Sequence, residues 1–407
     1  MNKTENKKHG WLNRNIAGMG LASLFSDWNH EMASAVLPIL LSSILHAPAF
    51  ALGVIEGVAD GVSTIFEVWS GWYSDKVGKR KGLAAFGYFI TAFSKASFAF
   101  ATSWPQVLIG RTAGWIGWSI RSPVRDALLV ESTTPATVGR AFAFHRTMDT
   151  LGAIAGPLTA TLLITHVPIR TIFLISLIPG LCAFLSITYL VKEKAKRPDT
   201  RDIWQSVKAL SSSFKKFLVP IGIFGASNFA PTFLILRAET LLSPTHGILL
   251  AGTFAIGLYT FSNAVYAIVG YPIGMLADRY SKKNILTVGY VLFALLCFGF
   301  VFADSHLWLL IVLFAINGMY TAIIESSQPA LASTLIAGDQ HGAGYGVMSS
   351  VDGVGDFLSS ITVGLLWTYL SPAVGFLFGG VLALLAAIIL FLIRLPKNNH
   401  AYVESAL

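Results

Sequence analysis

The sequence predicts an all-α polytopic membrane protein with twelve transmembrane helices. Of its 407 residues 54% are hydrophobic and only 12% are charged, whereas soluble domains carry about 25% charged residues. An apolar stretch of about 20 residues can span a bilayer as a helix. Twelve such stretches follow one another along the chain, at about 17–45, 50–73, 82–102, 105–130, 141–165, 169–191, 217–242, 248–276, 285–304, 306–333, 344–368 and 371–394.

The basic residues, which give the chain a net charge of +8, are concentrated in the loops on one side of these spans. They cluster before the first span and after the second, sixth and eighth, while the loops 46–49, 103–104, 243–247 and 369–370 contain no Lys or Arg. The positive-inside rule then predicts an inner (plasma) membrane protein with both termini in the cytoplasm. Because topology explains the positive charge, no nucleic-acid partner is expected. The first apolar run is too long for a cleavable signal peptide.

A polar loop and an internal repeat predict two halves. The loop 192–216 separates an N-terminal six-helix bundle, 1–191, from a C-terminal one, 217–407. The segment GWYSDKVGKRK recurs as GMLADRYSKKN 203 residues later, and the same offset places Asp149 on Asp352 and Gly152 on Gly355. We therefore expect two pseudo-symmetric bundles with a binding cavity between them.

The segment GWYSDKVGKRK, at 71–81, resembles the signature G-x-L-a-D-r-x-G-r-k of the major facilitator superfamily. Tyr73 replaces the usual Leu, and Ser281 replaces the second Gly of the repeated copy. The resemblance implies the twelve-span fold of a secondary transporter and a gate at the cytoplasmic side. The residues assigned to this gate are Gly71, Asp75, Gly78, Lys79, Arg80, Arg121, Arg125, Asp126, Asp278 and Glu325.

The charged residues of the proposed gate can form hydrogen bonds and ion pairs that would hold it closed. Asp75 can accept hydrogen bonds from a helix N-terminus, and the cations can pair with acids at the end of span four, such as Asp126 or Glu131. The alternative is that the basic loop only sets the topology.

Two weaker patterns resemble the same superfamily: RTAGWIG in span four, and GAIAGP in span five, which looks like a motif of its proton-coupled drug antiporters. Thr159 and Ala160 depart from that motif, which leaves helix packing as its alternative role.

Ionisable residues inside the spans are the candidate functional groups, because a charge in hydrocarbon needs a partner, a proton or water. Asp27, His30, Glu31 and Ser34 share one face of span one, at spacings of 3, 4 and 7. The candidates for proton coupling are Asp27, Glu31, Asp60, Asp149 and Asp352. The candidates for substrate binding are His30, Arg111, His145, Arg146, Asn228, Asn263 and Asp356. Alternatively these groups form structural pairs, such as Arg146 with Asp149.

The function predicted from these features is secondary active transport by alternating access, proton-coupled, of a small organic anion such as a carboxylate metabolite or carboxylate siderophore. The alternative is a drug or metabolite:proton antiporter. An intramembrane enzyme is disfavoured because no serine or cysteine nucleophile accompanies His30 and Asp27 at a recognisable motif, and an ATP-driven pump is disfavoured because no G-x-x-x-x-G-K-[ST] loop is present. A non-transporting receptor or sensor on this fold is a further alternative, which would move no solute against a gradient. No cofactor or metal is expected: His30 with Asp27 and Glu31 could form a metal site, but no Cys or second His lies beside it. The partners are the substrate, protons and the lipid bilayer, and the chain is expected to act as a monomer.

Three tryptophans in the spans have two possible roles, stacking on a ligand or packing between helices: Trp28, Trp115 and Trp118.

Overall fold

The computed structural model describes residues 12–77, 80–134, 137–193, 210–336 and 341–395, and these residues form thirteen α-helices. The helices are α1 (Arg14–Ile39), α2 (Ala49–Val77), α3 (Lys81–Ser97), α4 (Trp104–Glu131), α5 (Val138–Leu163), α6 (Ile169–Leu185), α7 (Ser212–Gly225), α8 (Thr232–His246), α9 (Ile248–Arg279), α10 (Lys282–Phe302), α11 (Leu307–Leu335), α12 (His341–Tyr369) and α13 (Pro372–Leu392). Single π-helical turns, Leu40–Ile44 and Ser186–Leu190, extend α1 and α6. Eleven predicted spans correspond to one helix each.

The seventh predicted span, 217–242, is not one helix but is interrupted between α7 and α8. Pro231 lies in the interruption, where it offers no backbone N–H for a helical hydrogen bond. Backbone groups beside the interruption have side-chain partners: Ala230 donates its N–H to Ser360 Oγ at 3.2 Å, and Ser227 Oγ donates to the Phe224 carbonyl at 2.5 Å. Interrupted helices are tolerated at membrane depth when the exposed backbone groups are satisfied in this way.

Seven of the described helices, α2, α3, α6, α9, α10, α11 and α13, contain segments long and apolar enough to cross a membrane. The others are either short, like α7 and α8, or interrupted by polar residues, like α1, α4, α5 and α12. The most polar helices are therefore also those that carry most of the candidate functional residues.

The chain divides into two compact units. The first unit comprises Met1–Ala47, Val62–Thr200 and Leu234–Thr260, and the second comprises the remaining segments, Pro48–Gly61, Arg201–Phe233 and Phe261–Leu407. In the first unit α1 packs on α5 and α6, and α3 packs on α4 and α6. In the second unit α10 packs on α11 and α13, and α12 packs on α7 and α13. The predicted bundle boundary at 192–216 falls mostly outside the described residues and stays a prediction.

Glycines 203 positions apart make equivalent helix contacts in the two units. A Cβ placed on Gly152 of α5 would collide with the Leu24 carbonyl oxygen on α1. A Cβ placed on Gly355 of α12 would lie 2.6 Å from the carbonyl carbon of Gly225 on α7. Only glycine lets the two backbones approach this closely. The repeat read from the sequence therefore has a counterpart in packing.

One end of the first unit is joined by side chain to backbone hydrogen bonds. Asn13 at the start of α1 donates to the Ser132 carbonyl at the end of α4, at 2.7 Å. Asn15 exchanges two hydrogen bonds of 2.8 Å with the backbone of Lys192, just after α6. The ends of three helices are thus fixed to one another on the side where the chain enters α1.

Candidate substrate and proton site

The acidic face of α1 packs directly against the small residues of α5. A Cβ on Gly152 would lie 3.0 Å from Asp27 Cβ, and one on Gly156 would lie 2.8 Å from Glu31 Cβ. This contact brings Asp149 of α5 to α1, where Ser23 Oγ donates a hydrogen bond to its carboxylate. The G-x-x-x-G pattern of span five therefore has a packing role, and the packing aligns three of the candidate acids.

Thr159, which departs from the antiporter motif, is used in this contact. Trp28 on α1 donates its indole N–H to Thr159 Oγ1 at 3.1 Å, and Thr159 Oγ1 in turn donates to the Ala155 carbonyl at 2.7 Å. A glycine at this position would offer the indole no side-chain acceptor. The departure from the family pattern thus creates a specific α1–α5 hydrogen bond.

Helix α4 presents an arginine and two tryptophans toward the same face of α1. Arg111 is buried and donates from Nη1 to Ser34 Oγ at 2.8 Å. Its guanidinium carbon lies 5.6 Å from the ring centroid of Trp115. The Trp115 ring meets the His30 ring edge-to-face at 5.3 Å and the Trp118 ring at 5.4 Å. Spacings of 4 and 7 put these three α4 residues on one helix face.

Several polar atoms of the first unit are buried without a hydrogen-bond partner among the described residues. Arg121 is 0% exposed, none of its three side-chain nitrogens is hydrogen-bonded, and its guanidinium lies 4.3 Å from the Tyr88 ring centroid. Three further buried atoms also have no hydrogen-bond partner among the described residues: Trp115 Nε1, His30 Nδ1 and His145 Nε2. Arginine and the indole N–H only donate, so each of these groups requires an acceptor that the described residues do not supply.

Other charged residues of the first unit are paired with each other. Arg125 donates to the neighbouring Asp126 at 3.0 and 3.1 Å. Arg146 is more exposed, with 56% of its side chain accessible, and approaches Asp149 at 3.9 Å. Arg80 forms an ion pair with Glu131 at the end of α4, which is one of the two partners suggested by the sequence.

The segment Leu234–Thr260 adds two polar contacts that the sequence did not suggest. Tyr259 on α9 donates its hydroxyl to Glu31 at 2.9 Å. Ser42 and Ser43, in the π-helical turn after α1, donate to Glu239 on α8 at distances between 2.9 and 3.2 Å. Glu239 is only 4% exposed. These partners are about 200 residues apart in sequence, so no local signal could have found them.

In the second unit, two candidate acids of α12 have amide partners. Asp352 accepts a hydrogen bond from Gln328 at 2.6 Å, and Asp356 accepts one from Asn228 at 3.4 Å. Tyr320 donates to the oxygen of the same Asn228 at 3.4 Å. The pair therefore sits in a polar network built from α11, α12 and the interruption after α7.

A glycine stripe on α2 places Asp60 beside this network. Gly53 and Gly57 face backbone carbonyls of α12, and a Cβ on Gly57 would lie 2.8 Å from the Phe357 oxygen. The stripe continues to Gly61, so the sequence carries a G-x-x-x-G-x-x-x-G pattern that could have predicted this contact. Asp60 is half-buried there.

The remaining predicted residues are placed less completely. Asn263 is half-buried on α9, and Glu325 on α11 accepts a hydrogen bond from Tyr266 at 2.6 Å. Gly78 and Lys79 lie outside the described residues, as do the surroundings of Gly71 and the side chains of Asp75 and Asp278. Within the described part of the chain no three His, Cys, Asp or Glu residues form a group able to hold a metal ion.

The amino-acid sequence is similar to those of known membrane transporters. The sequence profile of the Major Facilitator Superfamily matches residues 19–257 and 217–406. MFS-type transporter MJ1317 of Methanocaldococcus jannaschii is 32% identical over 385 residues, covering 94% of this chain and 95% of that protein. Multidrug resistance protein MdtG of Klebsiella pneumoniae is 22% identical over 330 residues, covering 78% of each chain.

Solved structures share the fold. A crystal structure of nucleoside transporter NupG superposes with a TM-score of 0.76 at 14% identity, covering 94% of this chain and all of the other. The D-xylose-proton symporter gives a TM-score of 0.73 at 14% identity, covering 95% and 99%. The predicted all-α, twelve-span class is confirmed, with the seventh span broken in two. This chain belongs to the Major Facilitator Superfamily and is a multi-pass membrane transporter of small molecules, not an enzyme.

Proposed function

We propose that this transporter moves a small organic anion by alternating access and couples that movement to protons. The observation that carries the proposal is the pair of buried donor-only groups on α4, the guanidinium of Arg121 and the indole N–H of Trp115, which lack an acceptor. A buried donor left unsatisfied costs about 1–3 kcal/mol, and more when it is charged. A carboxylate substrate would supply the acceptor and the negative charge that such buried donors require.

Proton coupling rests on the carboxylates that face these donors. Asp27 on α1 lies near Asp149, Glu31, Arg121 and Arg125. An opposite charge nearby favours an ionised carboxylate, and a like charge disfavours it. An anion bound at the arginines therefore changes the energy of ionising Asp27, which is a coupling between substrate and proton. Glu31, Asp60, Asp149 and Asp352 remain the other proposed proton carriers.

The test is uphill uptake into proteoliposomes with an imposed pH gradient. Asp27→Asn is expected to abolish uphill anion uptake while leaving counterflow exchange measurable, because exchange needs no net proton movement. Asp304→Asn, in the exposed loop between α10 and α11, is the matched control. Unchanged uphill uptake by Asp27→Asn would remove this residue as the proton carrier.

The antiporter alternative has specific support in the span-five pattern and in the similarity to MdtG, a multidrug resistance protein. It requires a cationic or neutral drug to leave as protons enter. Export of a lipophilic cation from the same proteoliposomes, without any anion flux, would favour this alternative and reject the anion proposal.

We also propose the cytoplasmic gate, cytoplasmic termini in the inner membrane, and a monomer. The ion pair of Arg80 with Glu131 supports a gate at this end of α3 and α4. Asp75→Ala should change labelling from the two membrane sides more than it changes substrate affinity. Equal labelling in mutant and parent would reject the gate.

A further inference from the structure

Three aromatic rings and one arginine lie together where α1 faces α4. The Trp115 ring contacts the His30 ring at 5.3 Å and the Trp118 ring at 5.4 Å, both edge-to-face, and Arg111 lies 5.6 Å from the Trp115 ring. His30, Trp115 and Trp118 are half-buried, while Arg111 is buried. We call these four residues the aromatic cluster.

Two polar atoms of the aromatic cluster have no hydrogen-bond partner. Trp115 Nε1 and His30 Nδ1 are buried and form no hydrogen bond with any described residue. Buried polar atoms in native proteins are nearly always satisfied, by the protein, by water or by a ligand. Since the indole N–H can only donate, it requires an acceptor that the described residues do not supply.

The charges around the aromatic cluster favour a ligand with one carboxylate over a ligand with two. Positive charge comes from Arg111 and from Lys95 of α3, whose Nζ would lie 3.1 Å from a Cβ on Gly114, next to Trp115. On α1, Asp27 and Glu31 flank His30 on the same helix face. A second carboxylate on the ligand would lie against these acids, and like charges repel strongly in a poorly solvated site.

We propose that the substrate is a ring-bearing monocarboxylate, with its carboxylate held by Arg111 and the Trp115 N–H and its ring packed against Trp118 and His30. This rests on the proposed anion transport and deepens it by naming the substrate class. An aromatic ring gains edge-to-face contacts with the tryptophan beyond the gain from area burial alone. A saturated ring of similar size gains only the burial.

The experiment measures binding of four probes to purified protein in nanodiscs by calorimetry: benzoate, cyclohexanecarboxylate, succinate and benzylammonium. Benzoate is expected to bind about 3- to 10-fold more tightly than cyclohexanecarboxylate, and more tightly than succinate. Equal affinity for the two ring acids, or a preference for succinate, would overturn the inference and leave anion transport standing. Binding of benzylammonium with no binding of any anion would overturn both.

Variants locate the effect in the aromatic cluster. Trp118→Leu should remove the preference for benzoate, whereas Trp118→Phe should retain it because an aromatic ring remains. Trp308→Leu, at an exposed position on α11, is the matched control and should leave the preference unchanged. A full preference for benzoate in Trp118→Leu would contradict the proposed ring contact. The probe comparison in the parent protein does not depend on whether any variant folds.

Discussion

The close contact of α1 and α5 depends on Gly152 and Gly156 of α5, and Gly152→Ala tests it. The added Cβ would collide with the Leu24 carbonyl oxygen and would lie 3.0 Å from both Asp27 Cβ and the Trp28 backbone nitrogen. Two of the three neighbours are backbone atoms, which cannot move aside by a rotamer change. The helices must therefore separate, and every contact along their interface changes.

The magnitude follows from two opposing terms. Overpacking in a well-packed interior costs about 1–3 kcal/mol. Alanine is better than glycine inside a helix by about 0.5–1 kcal/mol. Because backbone atoms block relaxation, we expect the upper part of the first range and a net loss of about 1–2 kcal/mol.

Gly257→Ala is the matched control, because no atom lies within 4 Å of a Cβ at this position on α9. It should be neutral or stabilising by up to about 1 kcal/mol. The assay is reversible unfolding of the purified protein in detergent, with the free energy of unfolding compared between the two variants. Equal stability of Gly152→Ala and Gly257→Ala would refute the packing argument, and with it the reason for which Asp149 reaches α1.

The other two predictions concern one buried carboxylate, Glu239, and one exposed carboxylate, Glu131. Ser42→Ala combined with Ser43→Ala removes two hydroxyl groups that donate hydrogen bonds to Glu239, a buried carboxylate on α8. We expect a loss of about 1–3 kcal/mol in the same unfolding assay, and the additional change Glu239→Leu should recover part of it; no recovery would mean that the serines act in another way. Arg80→Ala leaves its α4 partner without its cation and should cost more than Arg140→Ala, at an exposed position. Equal losses would show that the Arg80 ion pair adds no stability.

Much of the architecture could be predicted from local sequence patterns. Eleven helices match predicted spans because a membrane span is a contiguous apolar segment whose length is set by the bilayer. The break in the seventh span was not predicted, although Pro231 carries a signal for it. Hydropathy averages over a window, so it records an apolar segment and not the loss of one backbone donor within it.

The candidate site could be predicted from the sequence only in part. The polar face of α1 follows from helical periodicity, and Asp27, His30 and Glu31 do lie on the side that meets α4 and α5. Their partners could not be assigned in this way. Tyr259 and Ser34 were not selected as partners of Glu31 and Arg111, yet they form these hydrogen bonds.

The sequence by itself determined the class of molecule, the approximate spans, the superfamily and the residues that are costly to bury, because each of these depends on composition or on short segments. Tertiary structure alone decided which donors face which acids, which arginine is left without an acceptor, and which glycines carry the helix contacts. The physical reason is that a partner is chosen by the rotation and register of one helix against another. A shift of one residue turns a helix by about 100°, and the local pattern of either helix does not contain that information.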